Sequence, residues 1–190
     1  RPSSFFLPGR GRLFPPPPLP ERFGAAFVII QHLDPNHESM LADIISRYTD
    51  MKVAQIEEND EVQPNNCYVI PPDKAVTYKK DGRLHLTKLK RERGRQLPID
   101  HFFRSLSALK NRAVAIILSG TGSDGSSGIR KVKEKDGLVL VQSPERAQYD
   151  GMPLSAVKTG VVDEVLPVED MPELLERYFE NNFEQVLPSK

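Results

Sequence analysis

AVAIILSGTGSDGSSG, residues 113–128, joins the most apolar run of the chain to a turn rich in glycine and serine. Six apolar residues in a row, Ala113–Leu118, have the length and character of a strand buried on both faces of a parallel sheet. A glycine-rich turn at the carboxyl end of such a strand is where open α/β sheets hold their ligands, because missing Cβ atoms let backbone amides approach closely. Within the turn stand one carboxylate, Asp124, and three hydroxyls expected within its reach, Ser119, Thr121 and Ser123.

Outward from this stretch, apolar runs alternate with amphipathic ones. Upstream, Ala26–Gln31 (AFVIIQ) reads as a second strand buried on both faces, and a helix is predicted from His37 to Tyr48 with Met40, Leu41, Ile44, Ile45 and Tyr48 at helical spacing. Val53–Ile56 and Cys67–Ile70 read as short strands. Val76–Lys79 and Arg83–Thr87 flank Asp81-Gly82, a two-residue hairpin signal. A helix over Ile99–Lys110 leads into Ala113–Leu118. Downstream come a helix to about Glu134, a strand at Leu138–Gln142, a short helix at Pro153–Lys158, a strand at Val161–Leu166 and a closing helix at Val168–Phe179. Strands alternating with helices predict an α/β fold, a doubly wound, mainly parallel sheet with helices on both faces and one antiparallel hairpin.

The first 22 residues stand apart. Seven prolines fall in the first twenty positions, so an extended and loosely packed segment is expected over 1–22, before a packed unit over 23–182 and a tail over 183–190.

Lys and Arg total 26, as do Asp and Glu, which argues against a general nucleic-acid binder. The basic cluster Lys88–Arg95 (KLKRERGR) reads as a solvated loop. A single cysteine, Cys67, excludes an internal disulfide and a cysteine zinc cluster, and reads as a small core residue. No run approaches the roughly 18–20 apolar residues of a membrane span. With no signal-peptide pattern either, a cytoplasmic location without membrane insertion is expected.

His32 ends the strand AFVIIQ and would share a crevice with the turn after Leu118, where an acid could orient it as a base. Asp124 carries three readings. It could cap the helix that follows, hold a histidine in its tautomer, or belong to the dinucleotide fingerprint Gly120-x-Gly122-x-x-Gly125, with Glu145 as ribose partner. No histidine has metal-ligand spacing, so neither metal nor cofactor is expected.

Taken together, FVIIQHLDPNH, CYVIPPD, LPIDHFFRSL, ILSGTGSDGSSG and YDGMPLSAVKTG resemble the catalytic domain of chemotaxis protein-glutamate methylesterases of the CheB type, nearest to versions fused to methyltransferase modules. The resemblance runs from about Ala25 to Phe179 and implies hydrolysis of methyl esters on chemoreceptor glutamates, with related glutamine deamidation, by a Ser–His–Asp triad. It implies methylated receptor helices as protein substrate, and fused or associated methyltransferase and signalling modules as partners. By position His32 is the base and Asp124 the acid. Thr121, Gly122, Ser123 and Met152 fall on the oxyanion or substrate side, with Asp34 and the turn Gly151–Pro153 along the crevice.

The family's nucleophile lies upstream of the histidine in a G-x-S-x-G-G turn. The family's spacing counted back from His32 leads to Ser4–Phe6, which makes Ser4 the candidate nucleophile, but no glycine flanks it. Without the turn its hydroxyl lacks the oxyanion donors that the family uses. The sequence therefore predicts little or no turnover, with little effect of Ser4→Ala, and keeps a non-catalytic binding module of the same fold as an alternative.

Overall fold

A computed structural model describes residues 24–32, 40–89, 91–92 and 95–183. Ser4, Asp34 and the proline-rich segment lie outside them. Two parallel three-stranded sheets form the framework. In one, β1 (Phe27–Ile29) and β2 (Lys52–Gln55) flank β4 (Asn66–Val69), which follows the short β3 (Asp60–Glu61) in the chain. The central β4 is the buried strand, with Cys67, Tyr68 and Val69 almost fully enclosed. Burial pushes the Cys67 thiol up to about 11, which makes it an inert core residue.

The antiparallel part is larger than the sequence implied. β5 (Lys74–Tyr78) pairs with β6 (Arg83–Lys88), and β6 also pairs with β3. The turn is not a two-residue loop. The Gly82 amide donates to Lys79 O, the Lys79 amide donates to Arg83 O, and Gly82 adopts a φ of 83°. That is a three-residue connection in which the glycine supplies the left-handed position. The basic cluster read as a loop contains two further short strands, β7 (Arg91–Glu92) and β8 (Arg95–Gln96), paired antiparallel.

β9 (Val114–Ile117), β10 (Leu138–Gln142) and β11 (Glu164–Leu166) form the second parallel sheet, with β10 central and enclosed. Phe27 of β1 and Val114 and Ile116 of β9 pack against one cluster around Leu140 and Leu175, which joins the two halves. Contrary to expectation, β1 is only half-buried along its length, because it borders its sheet instead of occupying the centre.

Of the predicted first helix, residues 40–48 are described, and the helix there is α1 (Leu41–Ser46). Leu41, Ala42 and Ile45 turn inward toward β2 and β4, while Met40, Ile44 and Tyr48, expected on the packed face, are exposed at 63%, 46% and 41%. α2 (Pro98–Ser105) is shorter than predicted. The chain tightens into a 3-10 turn over Leu106–Arg112, which the left-handed Lys110 at φ 55° interrupts. α3 (Gly128–Lys133), α4 (Gly151–Val157) and α5 (Met171–Phe183) complete the layers. The fold is the predicted mixed α/β arrangement, parallel sheets flanked by helices with an antiparallel addition.

Candidate active site

His32 leaves β1 and the turn 119–128 leaves β9, so both emerge at carboxyl ends of parallel strands. They meet there. His32 Nε2 lies 3.0 Å from Asp124 Oδ2; the imidazole side chain is 38% exposed and the carboxylate 4%. A carboxylate so enclosed needs hydrogen-bond donors on both oxygens. Asp124 has them: the Ile99 amide donates to Oδ2 at 3.0 Å, and the Asp100 and Gly125 amides donate to Oδ1 at 2.8 Å each.

Two of these donors are the first turn of α2. Its own N-cap position is Leu97, which offers no side-chain acceptor, and Pro98 follows it. The orphan amides of that helix are therefore capped across space by Asp124. This corrects one reading of the sequence: Asp124 does cap a helix, but α2 and not α3, whose N-cap is Ser127. It corrects a second as well. Three amides and one imidazole occupy its oxygens, and of the hydroxyls expected around it Ser119 Oγ is bonded to Tyr149 instead.

Ser119 Oγ accepts the Tyr149 amide at 2.9 Å and donates to Tyr149 O at 3.3 Å, while the buried Gln142 side chain accepts the Ser119 amide at 2.8 Å. Thr121, Gly122 and Ser123 are exposed at the tip of the turn. The turn also rests on the segment before α4. The Gly120 amide donates to Tyr149 O, the Met152 amide to Gly120 O, and Ser155 Oγ to Gly122 O. Met152 is 5% exposed, and a Cβ on Gly120 would stand 2.4 Å from its Sδ. The Met152 side chain is thus the floor under Gly120 and does not project into the crevice.

A shallow crevice runs from His32 and Gln31 past Pro71, Asp73, Lys74 and Pro98. His85 and His101 have other partners, Glu58 and Thr77. Among the described residues no three His, Cys, Asp or Glu side chains converge as metal ligands do. The dinucleotide reading meets an obstacle: the Gly128 amide at the start of α3, which a phosphate would use, donates instead to Asp100 Oδ1 at 2.6 Å.

Sequence reasoning missed Asp100. The signal for it was a helix start, Leu97-Pro98, that carries no polar cap of its own.

Comparisons with known proteins bear on the family and the fold. A family model described as CheB methylesterase matches residues 16–175. A Leptospira interrogans protein provisionally named a protein-glutamate methylesterase/protein-glutamine glutaminase is 34% identical over 170 residues, 89% of this chain and 88% of the relative. A Thermotoga maritima protein-glutamate methylesterase/protein-glutamine glutaminase is 31% identical over 163 residues, and the chain spans about half of it, 47%. The crystal structure of the Thermotoga maritima CheB methylesterase catalytic domain superposes with a TM-score of 0.77 at 31% identity, covering 84% of this chain and 86% of that one.

Proposed function

The chain belongs to the CheB methylesterase family, and on that premise we propose that it hydrolyses methyl esters of glutamate side chains in a chemoreceptor-type protein substrate, with His32 as general base and Asp124 as the acid that orients it. The observation that carries the reading is the 3.0 Å contact of a half-exposed imidazole with an enclosed, fully hydrogen-bonded carboxylate. Asp124 receives the Nε2–H of His32, which leaves the lone pair on Nδ1 for the nucleophile.

In the proposed reaction a serine hydroxyl gives its proton to Nδ1 as its oxygen bonds to the ester carbonyl carbon. The imidazolium then returns the proton to the departing methanol, and water releases the acyl group by the same route. The amides of Thr121 and Gly122, two exposed residues of the turn, are the proposed oxyanion donors, and Ser123 borders the substrate; Met152 acts by supporting Gly120. Ser4 is the candidate for that serine by its position in the family pattern, but without glycine neighbours it is a poor one, and in the slow release expected of this chain a water deprotonated by Nδ1 takes its place. The same pair serves deamidation of glutamine, in which ammonia replaces methanol as leaving group. The unit doing this is taken as 23–182, working in the cytoplasm.

A specific feature favours a second reading. Upstream of His32 no serine has glycine neighbours, so the fold would serve as a binding module without turnover. Methanol release from a glutamyl methyl ester peptide separates the two. Release that depends on His32 supports the esterase, and peptide binding without release supports the module.

A further inference from the structure

The amino termini of α2 and α3 cap one another. Asp124, in the turn before α3, accepts the Ile99 and Asp100 amides of α2; Asp100, in the first turn of α2, accepts the Gly128 amide that opens α3. Both carboxylates are 4% exposed. Space is as tight as the bonding. A Cβ on Gly128 would meet Phe103 Cβ at 2.6 Å and the Asp100 backbone at 3.0 Å. The Ile129 amide closes the ring by donating to Gly125 O.

A helix start can be capped by serine or asparagine at little cost. Here a second carboxylate stands beside Asp124 in an enclosed setting, where like charges repel and burial disfavours ionisation. Its carboxyl is pushed above the ordinary aspartate range by burial and by Asp124, against the Gly128 hydrogen bond and Arg104, which favour the charge. What the position gains is a charge-assisted bond to Gly128, roughly twice as strong as a neutral one.

We propose that Asp100 is a positioning residue for the His32–Asp124 pair: its carboxylate ties the start of α3 to α2, which fixes the turn 119–128 and holds Asp124 Oδ2 toward His32. The proposal rests on the functional reading above, but its test does not need turnover. The His32 Nε2–H, hydrogen-bonded to a carboxylate, is observed directly by imidazole 15N–1H NMR in the full chain at low temperature. The groups facing His32 across its crevice, Asp73 and Lys74, are left intact.

Asp124→Asn serves as the reference for loss of that bonded-proton signal. Asp100→Ala, or Asp100→Leu should the alanine variant fail to fold, offers Gly128 no acceptor and is expected to lose the signal, and Asp100→Asn, which keeps an oxygen for Gly128, to retain it. Val132→Ala, in the core of α3, controls for destabilisation and is expected to leave the signal unchanged. If slow ester release is measured, Asp100→Ala lowers it about 10²-fold, the effect of a displacement near 1 Å. Folded Asp100→Ala or Asp100→Leu with the wild-type His32 signal would overturn the proposal and leave Asp100 a helix cap only. Absent ester release with the expected NMR pattern would overturn the esterase reading and not this one.

Discussion

His32 turns Nε2, and not Nδ1, toward Asp124, 3.0 Å from Oδ2. The other contacts of that carboxylate are backbone amides from α2 and from Gly125. One residue therefore does two jobs, capping a helix and orienting a base. The nitrogen left to take a proton from a nucleophile is Nδ1.

Asp124→Asn follows from that double role. An asparagine offers one acceptor oxygen, so its NH2 faces an amide donor of α2 or Gly125 and an N–H is left without an acceptor. The variant should lose about 1–3 kcal/mol of stability, the cost of a buried unsatisfied group. It should also lose about 10⁴ in ester turnover, as when the orienting acid of a serine protease becomes an amide. Chemical denaturation and methanol release measure the two effects separately; a variant of wild-type stability and rate would contradict both.

Gly151 is where the crevice wall meets the turn. A Cβ there would lie 2.9 Å from the Gly122 amide nitrogen and 3.3 Å from Gly120 O, and both are backbone atoms. Gly151→Ala should push the oxyanion side of the turn outward and cost about 1–3 kcal/mol, as overpacking does. A crystal structure of the variant should show Gly122 displaced. Gly160→Ala, where a Cβ meets nothing within 4 Å but φ is 72°, should leave Gly122 in place.

Asp100 gives the stability a pH dependence of known sign. Its carboxyl is raised in the folded chain by burial, so the folded state holds this proton more tightly than the unfolded chain does. The contribution of Asp100 to stability should fall as pH rises from about 4, the ordinary aspartate value, through the raised one. An amide at this position does not titrate and has no such slope. Urea midpoints of Asp100→Asn should improve relative to wild type over that interval, and a constant difference would contradict the assignment.

Ser4 lacks the glycine neighbours of a nucleophile turn. Ser4→Ala should therefore leave the slow ester release nearly unchanged. Release that vanishes in the variant would make Ser4 an efficient nucleophile in spite of its setting.

Run length and composition revealed most of the framework. Ala113–Leu118 and Leu138–Gln142 are legible as strands because apolar, β-branched runs of that length fit only a covered sheet. His32 and Asp124 are legible as a pair because each follows such a strand. The cap of α2 by Asp124 is not, since its partners lie 24 and 25 positions away and include only backbone amides. Lys110 ends a helical pattern by adopting φ 55°, a choice made where the chain turns toward β9 and not by its side chain. In α1 the period was right and the inward face was right in part: Leu41 and Ile45 turn inward as expected, joined by Ala42, whereas Met40, Ile44 and Tyr48 are exposed.

Methanol release from a helical peptide bearing a glutamyl methyl ester, measured side by side for the wild-type chain and His32→Ala, tests the central claim, that His32 held by Asp124 is the base of an ester hydrolase. The account predicts slow release above background by the wild type and none by His32→Ala. Equal rates for the two chains, or no release by the wild type, would contradict it.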